Sequence, residues 1–223
     1  MQRAFGLAGV ATLLLAAGQV SARPSVTFDF EDLTDQGWGT GFGDDASMNW
    51  PIINVAGSNR MQIVRNSFQS AGVAHGADFT PFYNTMLDAA SNEAGYEISY
   101  DWYVDTSTGG FGSFLQLGTF VNTGSGYYAQ DFGAIKEVEL NGTQLASGGV
   151  FSGHVVINMA AVGFNMPAAD TFFRLGLIMN GGGAADTVYF DNITVAPIVP
   201  EPGSLALLAF AVPALTIHRR RGG

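Results

Sequence analysis

Ahead of its last twenty-five residues the chain carries two histidines, His75 and His154, and it has no cysteine anywhere. The lack of thiols excludes a cysteine nucleophile and thiolate metal sites, and the two histidines have no zinc-site spacing. Ser113 and Ser152 lie near glycines, but neither stands in a Gly-x-Ser-x-Gly elbow. A catalytic carboxylate pair of the glycosidase kind has many acids to draw on, and Asp101 and Asp105 flank Trp102-Tyr103. No spacing singles out such a pair. The aromatic residues offer a different chemistry. Exposed rings stack on pyranose faces, and polar groups nearby fix the orientation of the sugar. Trp38 sits in a glycine-rich stretch, Trp50 precedes Pro51, and Tyr127-Tyr128 follow Gly124-Ser125-Gly126. These four are the expected ligand platform, on loops. Trp102 shares a face with Ile98 and reads as core, and His154, alternating with Val156 and Asn158, reads as a surface or edge residue. Binding is expected here, and catalysis is not.

The elements that must position these groups are strands. Residues 26–31 alternate, with Val26, Phe28 and Phe30 on one face and acids on the other. Residues 96–104 repeat the pattern with Tyr96, Ile98, Tyr100 and Trp102 on one side. Further strands are expected over 114–121, 134–140, 154–159, 172–179 and 187–195, with weaker candidates at 49–55 and 61–64. Asn141-Gly142 predicts a hairpin turn into residues 143–145. Glycine clusters at 37–43, 108–112, 124–126 and 181–183 mark the connections. Residues 85–93 are the one expected helix. This pattern predicts an all-β chain whose residues 23–198 form a single β-sandwich, either jelly-roll or immunoglobulin-like in strand order. Residues 24–198 hold eighteen acidic and four basic side chains, a net charge of −14. Such a surface repels phosphate backbones and excludes nucleic acid as a partner.

Both ends of the chain read as addresses. Met1-Gln2-Arg3 precedes an apolar stretch over residues 4–17, and Val20-Ser21-Ala22 offers small residues. This predicts a signal peptide over residues 1–22, cleaved after Ala22 by signal peptidase. Residues 199–223 run Pro200-Glu201-Pro202, then an apolar segment over 205–217, then Arg219, Arg220 and Arg221. As a helix that segment spans about 20 Å, short of a ~30 Å hydrocarbon core, and Pro213 interrupts it. It suits a pause in the membrane better than a lasting anchor. The three parts in this order resemble the PEP-CTERM sorting signal. The resemblance implies recognition by an exosortase, a membrane-embedded transpeptidase of Gram-negative bacteria. It implies processing near Pro200-Glu201-Pro202 and delivery to the cell envelope or extracellular matrix. Membrane association through residues 205–217, transient or permanent, follows from the same resemblance.

A second resemblance lies in the central domain. Phe28-Asp29-Phe30-Glu31-Asp32 with Gly37-Trp38 is similar to the first strand of jelly-roll carbohydrate-binding modules, and residues 188–195 are similar to their last. In those modules the two strands lie together and acids there help hold a structural calcium. The resemblance therefore nominates Glu31 and Asp191 as calcium ligands, in keeping with that ion's preference for oxygen. Three functional expectations result. The first is an exported, non-catalytic structural or adhesive envelope protein. The second is a module that binds exopolysaccharide, with structural calcium, and the third is a glycoside-acting enzyme on the same scaffold.

Overall fold

The computed structural model describes residues 22–40, 50–65, 69–74, 80–92, 95–108, 110–124, 127–129, 137–160, 169, 172–182 and 186–199. Among these residues, twelve strands form two antiparallel sheets. The first sheet contains β1 (Val26–Phe28), β3 (Ile52–Val55), β4 (Ser58–Arg65), β6 (Tyr96–Asp105), β10 (Val150–Asn158) and β12 (Asp186–Pro197). Its order is β10-β6-β12-β4-β3, with β1 also pairing β12. The second contains β2 (Trp38–Thr40), β5 (Gln69–Ala74), β7 (Phe114–Thr123), β8 (Tyr127–Ala129), β9 (Val138–Asn141) and β11 (Phe173–Gly181). Its order is β2-β5-β11-β7-β8, and β9 also pairs β7. The predicted β-sandwich is the observed fold.

Alternation sets which side chains fill the space between the sheets. On β6, Tyr96, Ile98 and Tyr100 are buried, while Glu97, Ser99 and Asp101 point outward and stay partly exposed. β12 starts with Val188 and Phe190 inward. Its register with β6 shifts between Asp191 and Thr194, where Asn192 takes a positive φ of 49°. Beyond this bulge the inward set is Ile193 and Val195. One extra residue thus leaves Asp191 and Asn192 adjacent without removing an apolar residue from the core. On the second sheet Phe120 lies against Gly176, where a Cβ would run into the ring. A close approach of this kind requires glycine.

Several sequence expectations need correction. The helix, α1, spans Thr80–Ser91 and so begins before residue 85. Pro81 suits a first helical turn, and Phe82, Met86 and Ala89 supply the buried stripe. Asn141-Gly142 does not turn a hairpin. Asn141 caps a short helix, α2 (Gly142–Leu145), accepting from the Gln144 backbone N–H while the Gln144 side chain accepts from the Asn141 N–H. Residues 143–145 are therefore helical, because a reciprocal capping box outweighs a two-residue turn signal. The glycine-rich stretch after Gly37 contains β2. Trp38 is buried there, edge-on to Phe28 at 5.5 Å. Among the described residues no helix is long and apolar enough to cross a membrane. The apolar segment 205–217 lies outside those residues, as do Pro200, Glu201, Pro202 and the three arginines.

One half-buried acid joins the two sheets. Glu137 Oε2 accepts a 3.1 Å hydrogen bond from the hydroxyl of Tyr100, which points inward from β6. Glu137 Oε1 and Thr119 Oγ1 are buried beside this pair, and Thr119 joins the Tyr100 hydroxyl in favouring the ionised carboxyl. Burial pushes the Glu137 carboxyl up to about 7, against the downward pull of the Tyr100 hydroxyl. The folded state therefore holds this proton more tightly than the unfolded chain. Its contribution is most favourable in acid and is lost as pH rises from the ordinary glutamate range to about 7. Urea unfolding should show roughly 2–3 kcal/mol less stability at pH 8 than at pH 5 from this group. Glu137→Gln should remove that difference, and an unchanged slope in the variant would refute the assignment.

Candidate functional site

The outer face of the first sheet collects polar and aromatic side chains in two cross-strand rows. Register places Tyr189 opposite Gln62 on one side and opposite Tyr103 on the other, and Tyr103 opposite Ser152. Two residues along, Asp191 faces Asp101, and Asp101 faces His154. Between and above these rows lies a depression of about 370 Å³, lined chiefly by Arg60, Asp101, Tyr103, Ser152, Tyr189 and Asp191. A second, of about 290 Å³, continues past Tyr103 and Tyr189 to Val55, Gln62, Asp105 and Thr187. The two tyrosines belong to both, so together the depressions form one cleft with an aromatic waist. Their rings meet edge-on at 5.9 Å.

Every charged group in the cleft has a defined partner. The Arg60 guanidinium sits 4.8 Å above the Tyr103 ring, and its Nε lies 3.9 Å from Asp191 Oδ2. Asp191 is only 4% exposed, and burial pushes its carboxyl above the usual range. Hydrogen bonds from Ser58 and the Asn192 N–H, and then Arg60, pull it back, whereas the nearby Asp101 raises it further. Asp101 uses both oxygens: Oδ1 is 2.7 Å from His154 Nδ1, and Oδ2 accepts from Asn192 Nδ2 at 2.8 Å. Tyr189 Oη accepts from Gln62 Nε2 at 3.3 Å. Asp105, at the far end, is held below the usual carboxylate range by the Ser107 hydroxyl and N–H.

The structure brings Glu31 and Asp191 together. Ser58 Oγ lies 3.1 Å from Glu31 Oε1 and 2.6 Å from Asp191 Oδ2, so the two carboxylates share one hydroxyl proton. Glu31 also accepts from the backbone and side-chain nitrogens of Asn59. The approach follows from β1 pairing with β12 and from Phe30, which keeps its ring in the core at φ 56° as the chain turns toward β4. The set matches a hard cation in kind, being carboxylate and hydroxyl oxygen. Among the described residues, no group of three or more His, Asp or Glu gathers as a metal site. Any further ligands would have to come from carbonyls or water.

The expected aromatic platform is not what forms the cleft. Trp38 is 2% exposed and Trp50 6%, both packed in the core, so neither indole can stack on an external ligand. In each case the glycine or proline beside the ring suggested a loop, while burial of a large apolar surface decided its place. Tyr127 and Tyr128 belong to β8, on the second sheet beside β7, and so lie on a different sheet from the cleft. Trp102 packs against the core as expected, its indole running over Gly153. The residues missed were Arg60, Tyr103 and Tyr189. For the tyrosines a signal was available, since each alternates with inward residues and so belongs to the outer face. Ala22 lies at the exposed start of the described chain, and His75 lies outside the described residues.

No protein-family model matches this chain, and no curated protein matches it in sequence. Solved structures do. A carbohydrate-binding module, CBM28, described as specific for non-crystalline cellulose, is 13% identical; the match covers 76% of this chain and 93% of that one, with a TM-score of 0.52. A CBM27 module described for mannan recognition is 15% identical over 79% of this chain and 99% of its own, with a TM-score of 0.47. A xylan-binding module, CBM15, is 13% identical over 80% and 99%, with a TM-score of 0.43. At such identities the likeness to CBM28 shows the fold alone: the chain shares the β-sandwich fold of that structure.

Proposed function

We propose that this is a non-catalytic polysaccharide-binding protein whose ligand lies in the cleft on the outer face of the first sheet. The observation that carries this reading is the joined depression with Tyr103 and Tyr189 at its waist, polar groups on either side, and a sandwich scaffold like that of CBM28. Concave sites combining aromatic surface with a few fixed polar groups are what sugar recognition needs. Asp101 and Asp191 face each other across the ladder, which favours asking whether they act as a hydrolytic pair. The partners argue against it. Asp191 is enclosed by Ser58, Asn192 and Arg60, and both Asp101 oxygens are engaged, so their role is to hold other groups in place.

The sequence adds an address to this reading. In it, signal peptidase releases the chain after Ala22, and an exosortase processes the tail near Pro200-Glu201-Pro202. The protein then resides in the envelope or outer matrix of a Gram-negative bacterium, where sugar binding provides an adhesive role. Calcium held by Glu31 and Asp191 would pin β1 and the turn after it to β12 and β4.

Three outcomes are expected. In affinity electrophoresis, residues 23–199 should be retarded by at least one soluble polysaccharide from a panel of glucans, mannans and xylans. Tyr103→Ala should weaken that retardation about tenfold or more, and no retardation by any polymer would sink the binding reading. Millimolar calcium should raise the melting temperature by several degrees, an effect absent after chelation and in Glu31→Gln; an identical melt in all three would dismiss the ion. Intact mass of envelope-extracted protein should end near Pro200, whereas a C-terminus at Gly223 would dismiss processing.

A further inference from the structure

His154 is the exposed end of a hydrogen-bonded chain that crosses three strands, and nothing in the cleft's apolar packing calls for it. Its side chain is 54% exposed, and its Nδ1 lies 2.7 Å from Oδ1 of Asp101, which lines the larger depression together with Ser152 and Gly153, the two residues before His154. Asp101 is in turn held through Oδ2 by the side-chain amide of Asn192. Asn192 stands at the bulge of β12 with φ 49°, a conformation that asparagine tolerates better than most residues and that few would adopt here without a purpose. An amide donating to Oδ2 fixes the plane of the carboxylate, and the carboxylate accepts from whichever imidazole nitrogen carries the proton. In the neutral ring that proton must then sit on Nδ1. Nε2 is left with its lone pair directed away from Asp101.

We propose that Asn192 and Asp101 are positioning residues that lock His154 in its Nδ1–H form, so that Nε2 is presented at the cleft rim as an acceptor for a hydroxyl of the bound polysaccharide. The inference rests on the cleft reading above and sharpens it by naming a ligand-contacting group that none of the aromatic residues supplies. A sugar hydroxyl donates as readily as it accepts, so a fixed acceptor beside Tyr103 would select the orientation of the ring it meets. Ser152, next to His154 on the same outward face and opposite Tyr103, adds a second hydroxyl at the same rim. The engaged carboxylate of Asp101 explains why an acid lines the cleft without itself being free for the ligand.

The test has two readouts on residues 23–199. Imidazole nitrogen NMR should show His154 as the Nδ1–H tautomer in the unliganded protein. Asp101→Asn should convert it to a mixture, and Asn192→Gly, which keeps the positive φ but removes the amide, should do so in part. In affinity electrophoresis against the polysaccharide that retards the wild type most, His154→Ala and Asp101→Asn should each weaken binding roughly fivefold, with melting temperatures unchanged. A wild-type ring in the Nε2–H form overturns the positioning chain. Full binding by His154→Ala alongside loss in Tyr103→Ala overturns presentation of Nε2 while leaving the cleft in place. No binding by the wild type removes both the cleft and the ligand contact, and the tautomer spectrum then decides the lock alone.

Discussion

The pairing of β12 with its neighbours is the constraint on which the rest of this molecule depends. β12 is the longest strand described and the only one in the first sheet to pair with three others, β1, β4 and β6. Its inward residues fill the core, and its outward residues fill the cleft. The bulge at Asp191–Asn192 lets it do both. Without the extra residue, a strand of period two that served the core at Val188 and Phe190 would carry Asn192 inward. With it, two consecutive polar side chains point to two different partners, one to Ser58 and Arg60 and the other to Asp101.

The second organising fact is the scarcity of positive charge. With four basic side chains against eighteen acidic ones over residues 24–198, where each cation is placed matters. Arg60 goes to the cleft floor, where it faces a buried carboxylate and an aromatic ring at once. A guanidinium can do this because its plane stacks on the ring while its charge faces the carboxylate at 3.9 Å. Elsewhere acids are quieted by hydrogen bonds from neighbours close in sequence, as Ser107 does for Asp105 and Thr34 for Asp32. Asp191 and the half-buried Glu137 differ from these, since burial raises both carboxyls.

Much of the fold was legible because strand alternation is a local property. Tyr96 to Asp105 and Asp186 to Pro197 show their faces in the order of their residues. The joining of Glu31 to Asp191 was legible only through resemblance, since the two are far apart in sequence and meet through β1, β4 and β12. What could not be read was set by competition between local and global terms. Trp38 looked like a loop residue because glycines surround it, yet its indole has too much apolar surface to leave outside. Asn141-Gly142 carries a turn signal that a glutamine three residues on converts into a helix cap. The cleft itself depended on register. Tyr103 and Tyr189 are opposite each other only because β6 and β12 pair in this register, and no spacing along the chain encodes that.

The chain enters and leaves the sandwich at neighbouring points. Val26 pairs with Val195, the Tyr96 hydroxyl donates to the Pro24 carbonyl, and the Ile198 N–H bonds to the Gly95 carbonyl. Along β12, Asp191 lies four residues back from Val195 and Tyr189 six, about 13 and 20 Å at the usual rise per residue. The points where the described chain enters and leaves the sandwich therefore lie together, and the cleft begins farther back along the same strand. A polymer lying along Tyr103 and Tyr189 would therefore meet β12 away from the point where the chain enters and leaves the sandwich.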